Sequence, residues 1–145
     1  MLNELLDDSC IIFVDKKESW KDAVIRGGNL LLNKGYITKK YIDNMITSIE
    51  LHGPYVVLLE GFAMPHAGAG DGVNRTSMSL MIYYNDVIFE NEKKVRVILT
   101  LACEDKEKHL STLSLLANLL GENDFVEGLV NSKSIGEIRK KLEEI

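Results

Sequence analysis

The sequence has few cysteines, no long apolar run and no concentration of basic charge, and each shortage removes a class of function. Cys10 and Cys103 are the only cysteines in 145 residues, far apart and without a CxxC. Neither a disulfide framework nor a zinc knuckle is suggested, and both thiols, in apolar strand-like surroundings, read as small buried hydrophobes. No apolar run approaches the roughly 18–20 residues a membrane span requires. The N-terminal MLNELLDDSC carries acids where a signal peptide carries bases, so a cytoplasmic protein is expected. Seventeen Lys and Arg against 22 Asp and Glu give a net charge of −5, with the bases scattered, which argues against a nucleic-acid partner. What remains is ordinary: 46% apolar and 27% charged residues in a length suited to one domain.

The hydrophobic period changes along the chain in a way that separates strands from helices. A short amphipathic helix is expected over 2–7, then a strand in CIIFVD, 10–15. From Ser19 the three-four spacing of Trp20, Ala23, Val24, Gly27, Leu30 and Leu31 predicts a helix ending at Gly35, with Ser19 and Asp22 as a capping box. Thr38 can cap a second helix with the face Tyr41, Ile42, Met45, Ile46 and Ile49, stopped by Gly53 and Pro54. PYVVLLE, 54–60, reads as a buried strand, followed by strands at 77–84 and 95–103 and a short edge strand at Val87–Glu90 within a solvated hairpin end. A leucine stripe predicts a helix over 108–120, Asn123 can cap a short one, and Ser134 with Glu137 caps the last. The expected fold is α/β: a single domain, 1–145, with a central mixed β-sheet flanked by helices on both faces.

Chemistry concentrates in GFAMPHAGAGDG, 61–72, which sets one of only three histidines between a proline and a glycine-rich run. Pro65 fixes its own φ and offers no N–H, so His66 stands on a stiff loop after a strand, where open α/β sheets bind ligands. His109 opens a helix, whose free N–H groups favour an anion and whose dipole disfavours a charged imidazole. Glu60 could accept a hydrogen bond from one nitrogen of His66 and leave the other free as a nucleophile. His66, His109 and Glu60 are therefore the candidate catalytic residues. They lack the short spacings of a metal site such as HExxH, and the glycine run lacks GKS or GKT and fits GxGxxG poorly; neither a metal nor another cofactor is expected. His52, at a helix end, reads as a residue facing free carbonyls.

GPYVVLLEGFAMPHAGAGDGVN, followed about forty residues after the histidine by DKEKHLSTLSLLANLL, resembles the IIA component of the bacterial phosphoenolpyruvate:sugar phosphotransferase system (PTS), mannitol/fructose class. WKDAV, KGYIT…YIDNMI and GPY look most like the ascorbate and galactitol branches, ascorbate first. The resemblance covers nearly the whole chain. It implies the mannitol/fructose-type IIA fold and a phosphocarrier: His66 takes a phosphoryl group from phospho-HPr and passes it to a cysteine of the cognate IIB, with the membrane IIC partner reached only indirectly. His109 matches the family's second histidine, which stabilises the phosphoryl group, and Glu60 an acidic position of the mannitol-type proteins. Two customary arginine positions hold Glu50 and Gly68 instead, leaving Arg75 and Lys39 as replacement cations. Backbone N–H groups of Ala67 to Gly70 and of the helix at 108 are expected as further donors, and Phe62, Met64 and Ala67 as an apolar docking rim. A purely regulatory IIA-like module and, less favoured, a metal-dependent hydrolase are the alternatives.

Overall fold

Alternating apolar side chains make the centre of this fold a hairpin. In the computed structural model, which describes residues 2–143, Ser77–Phe89 (β4) runs antiparallel to Lys93–Ala102 (β5), with Met78 opposite Leu101 and Ile82 opposite Val97. Every residue from Ser77 to Tyr83 and from Val97 to Ala102 is buried. Successive strand side chains point to opposite faces, so the sheet is covered on both sides there. Leu6–Val14 (β1) pairs parallel with β4, Gly61–Ala63 (β3) parallel with β5, and Val57–Leu59 (β2) antiparallel with β3. The result is a five-stranded mixed sheet in the order β1-β4-β5-β3-β2.

Trp20–Asn33 (α1) packs on β4 and β5 and carries Lys39–His52 (α2) against its outer side. The Ser19 hydroxyl accepts from the Asp22 amide at 3.1 Å, the expected cap. After β5 come Lys106–Leu120 (α3), Phe125–Val130 (α4) and Ile135–Glu143 (α5); α4 packs on β4 and β5, and α5 on β1. Arg139 of α5 ties the N-terminus down, donating to Asp8 at 2.5 Å, to the Asn3 side chain at 3.1 Å and to the Leu6 carbonyl.

Several expected elements are redrawn. The helix at 2–7 is a single 3-10 turn, Leu2–Leu5, because Leu6 already pairs with Met78. The strand expected at Val87–Glu90 is the continuation of β4 beyond an irregularity between Ile82 and Val87. Asp105, not a residue at 108, starts α3, its carboxylate accepting from the Lys108 amide at 2.8 Å. Asp124 rather than Asn123 precedes α4, at φ 67° and with no side-chain cap bond. The most consequential change is in PYVVLLE, whose apolar run is not one buried strand. Only Val57–Leu59 is extended, at the sheet edge, with Leu58 and Leu59 about 40% exposed. Gly61, at φ 85°, lets the chain reverse, and it is β3 that carries buried Phe62 and Ala63 toward the loop.

Candidate functional site

β3 and β5 are parallel, so both deliver the chain to one end of the sheet, where β3 leads into His66 and β5 into the turn before α3 and His109. This topology brings two histidines 43 positions apart in sequence next to each other, with ring centroids 5.5 Å apart and planes tilted by 42°. The turn that holds them is pinned to the sheet. The Met64 amide donates to the Val56 carbonyl at 2.8 Å, the Leu101 amide to the Pro65 carbonyl at 3.0 Å, and the Gly70 amide to the Cys103 carbonyl at 2.9 Å. Thr76 and Glu104 exchange two bonds of 3.0 Å, each side chain on the other's amide, which locks the 70–76 loop to the turn before α3.

His66 is half-buried, and its Nδ1 lies 2.8 Å from the Met64 carbonyl oxygen. A carbonyl can only accept, so this nitrogen carries the proton and donates. In the neutral ring Nε2 then holds the lone pair. The ring-orienting bond expected of Glu60 thus belongs to a main-chain carbonyl two residues away. Glu60 is exposed at the opposite end of β3, beside Leu59 and Lys94, where the hairpin turns, and the structure does not bring it to His66. The six-residue spacing places them at the two ends of one strand.

His109 is half-buried, and its pKa lies below the ordinary 6.5, lowered first by burial and then by the neighbouring His66. Both effects penalise a second positive charge, so the pair holds a neutral His109 at neutral pH. Folding stability carries the corresponding signature. Below 6.5 the unfolded chain takes up a proton on His109 that the folded chain resists, so this residue's contribution falls as the pH drops, until the lower folded pKa is passed. Equilibrium denaturation across this range is expected to show wild type losing stability relative to His109→Ala as the pH falls; a constant difference would contradict the assignment.

Neither expected cation is bonded to a histidine among the described residues. All four arginines are engaged at a distance from the histidines: Arg26 with Glu18, Arg75 with Tyr36, Arg96 with the Tyr83 carbonyl and Arg139 with the N-terminus. Arg75 lies over the Tyr36 ring at 4.8 Å. Lys39 stands exposed at the first position of α2, and Glu50 pairs with Lys21 at 3.2 Å. Of the expected amide donors, Ala67 gives its N–H to the Tyr41 hydroxyl at 3.0 Å and Gly70 to Cys103, leaving Gly68 and Ala69. The helix start is likewise partly occupied, since the Asp105 carboxylate takes the Lys108 amide.

Phe62 and Met64 are 0% and 1% exposed and Ala67 is buried, so the expected rim belongs to the core. The exposed apolar side chains are instead Leu51 and Leu110, 73% and 65% exposed. Each adjoins a histidine in sequence, and Leu51 lines a shallow groove with His52, Ala67 and Gly68. His52 ends α2, the helix-end place expected of it, and its ring lies 6.4 Å from that of Tyr55, which in turn lies 5.6 Å from that of His66, so the three rings form a row. Tyr41, Ser48 and Tyr55 around the loop were not singled out by sequence reasoning. The spacing of Tyr41, Asn44 and Ser48 along one face of α2 was the available signal. Among the described residues no three His, Cys, Asp or Glu are gathered to hold a metal ion, and no helix is long and apolar enough to cross a membrane.

A mixed sheet covered on both faces, with two imidazoles meeting where parallel strands end, defines an α/β domain organised around a histidine pair. The chain matches, over residues 4–145, the model of the family described as "Phosphoenolpyruvate-dependent sugar phosphotransferase system, EIIA 2". It is 31% identical over 134 residues to the mannitol-specific cryptic phosphotransferase enzyme IIA component of Escherichia coli K12, spanning 92% of this chain and 91% of that one. It is also 31% identical over 109 residues to the ascorbate-specific PTS system EIIA component of Shigella boydii, 74% and 71% of the two chains. In structure it is similar to the IIA of the complex of mannitol enzyme IIA with phosphorylated enzyme IIB from E. coli, with a TM-score of 0.82, 25% identity and coverage of 97% and 100%. The chain belongs to this EIIA family, and its fold is that of the mannitol-type IIA proteins.

Proposed function

We propose that this protein is a phosphocarrier that accepts a phosphoryl group from phospho-HPr on His66 and passes it to a cysteine of its cognate IIB. The cargo of the pathway is a sugar or an ascorbate-like substrate, met only by the membrane component with which IIB works. The observation that carries this reading is the Nδ1–H bond of His66 to the Met64 carbonyl, which leaves Nε2 as the nucleophile. In the first transfer the Nε2–P bond forms as the donor's N–P bond breaks, and the donor imidazole retains the electron pair. In the second, a thiolate of IIB attacks the same phosphorus and the Nε2–P bond breaks. Such transfers pass through loose in-line transition states and ask mainly for positioning and for donors to the equatorial oxygens. Neutral His109, 5.5 Å from His66 between ring centroids, and the Gly68 and Ala69 amides are suited to that task. Neither metal nor nucleotide enters these steps.

Two protein partners must reach one ring in turn, which favours a protruding apolar surface over a deep pocket. Leu51 and Leu110 provide it, as the most exposed large apolar side chains among the described residues. The test is a relay: incubation with phosphoenolpyruvate, enzyme I and HPr, then with candidate IIB proteins. Phosphate is expected to leave His66 for a IIB cysteine. Phosphate that stops on His66 with every IIB would favour a regulatory module. His109→Ala is expected to slow uptake roughly 100-fold with the fold retained; an unfolded variant would mark a structural role instead.

A further inference from the structure

The peptide unit joining His66 to Ala67 is held on both edges by tyrosine hydroxyls. Tyr55 donates to the His66 carbonyl at 3.2 Å, and Tyr41 accepts the Ala67 N–H at 3.0 Å. Each hydroxyl has one proton, and the remaining contacts account for it consistently. Tyr41 spends its own on the Leu101 carbonyl at 2.7 Å, much nearer than the Ala67 carbonyl at 3.4 Å, and Ser48, 2.9 Å from the Tyr55 hydroxyl, donates to it. Tyr41 and Ser48 lie seven residues apart on α2, two turns along one helix face. One helix therefore fixes the orientation of one peptide plane, through one hydroxyl directly and through the other by way of Ser48. The two grips differ in setting, since Tyr41 is 1% exposed and Tyr55 38%.

From this geometry we infer that Tyr41 and Tyr55 are positioning residues that clamp the His66–Ala67 peptide and so hold the His66 ring and the following amides in place. The plane sets ψ of His66, and the rotamer a side chain can hold depends on its φ/ψ. The next two peptide units carry the Gly68 and Ala69 N–H groups, which have no internal partner among the described residues. The Tyr55 ring, nearly perpendicular to that of His66 with an interplanar angle of 81°, adds a lateral wall. For its kinetic consequence the clamp rests on the phosphocarrier reading above, whereas the orientation of the ring does not.

The experiment compares wild type, Tyr41→Phe, Tyr55→Phe and the double variant. Nitrogen-detected NMR of the free proteins reads the protonation of the two His66 ring nitrogens without any phosphoryl donor, and thermal unfolding is followed in parallel. Both single variants are expected to shift the His66 signals away from the pure Nδ1–H form. Tyr55→Phe, at the half-open position, is expected to do so with its melting temperature nearly unchanged. In transfer from phospho-HPr each single variant should lose roughly 10- to 100-fold in kcat with little change in KM. Because both hydroxyls grip one peptide, the double variant should lose little more than the worse single one. Unchanged His66 signals in Tyr55→Phe, or losses that simply multiply in the double variant, would overturn the clamp. A wild-type protein that takes up no phosphate would overturn the phosphocarrier reading alone, because the NMR comparison still decides the clamp.

Discussion

His66→Ala is expected to reduce acid-labile phosphate uptake from phosphoenolpyruvate, enzyme I and HPr to background while leaving the fold intact. Removing the imidazole removes the ring whose free nitrogen is fixed by a hydrogen bond, because Nδ1 of His66 is committed to Met64 and Nε2 is not. His109 is poorly placed to substitute. It stands on the first turn of α3, 5.5 Å from the lost ring, and a phosphoryl group aligned in-line for one centre is misaligned for the other. The fold has little to lose. The main-chain bonds of Met64, Pro65 and Ala67 that anchor the loop do not involve the imidazole, so the stability change should stay within about 1 kcal/mol, the value of one partly exposed hydrogen bond. Phosphorylation assayed beside a thermal melt checks both halves. Persistent acid-labile phosphate on the alanine variant would show that another residue accepts it.

Gly27→Val is expected to destabilise the protein by about 2–3 kcal/mol, the scale of core overpacking, although valine has the better helix propensity. A Cβ at Gly27 would lie 2.5 Å from the Thr100 Oγ1 and 3.1 Å from the Met81 Cε. The Thr100 side chain is short and fully buried in the central strand, so it cannot swing away. The glycine is what lets α1 sit close enough for the Ser79 hydroxyl to reach the Gly27 carbonyl at 2.8 Å. For a domain of this length the loss corresponds to a fall of about 5–10 °C in melting temperature. Gly27→Val combined with Thr100→Ala should recover part of it, the more so because the Thr100 hydroxyl has no hydrogen-bond partner among the described residues. An unchanged melting temperature in the single variant would contradict the packing described here.

Much of this arrangement is written in local pattern. All three long helices, α1, α2 and α3, end where glycine follows, the Ser19 and Ser134 caps form, and His66 stands after a strand as its Pro-flanked, Gly-rich loop implied. His109 could be placed beside it only through the resemblance, since its proximity follows from the parallel pairing of β3 with β5, a long-range choice that no short window records. The same limit explains Glu60. VVLLE has the apolarity of a buried strand, yet whether a strand is central or at an edge depends on its neighbours. Here the chain turns at Glu60 and Gly61, so the carboxylate and the imidazole occupy opposite ends of β3. Phe62, Met64 and Ala67 flank the histidine in sequence, which suggests a rim, but the segment is packed under the loop, with 62–65 and 67 all buried and only His66 between them partly open. The tyrosine hydroxyls that hold the loop gave even less warning, because Tyr41 contributes its ring to the apolar face of α2 and its hydroxyl to the turn.

Protonation and phosphorylation at individual nitrogens bear most directly on the phosphocarrier reading. Phosphorus and nitrogen NMR of the protein charged by phosphoenolpyruvate, enzyme I and HPr would identify the atom that carries the phosphoryl group. The expected result is phosphate on Nε2 of His66, with Nδ1 still protonated and held by the Met64 carbonyl. Phosphate on Nδ1 of His66, or on His109, would contradict it.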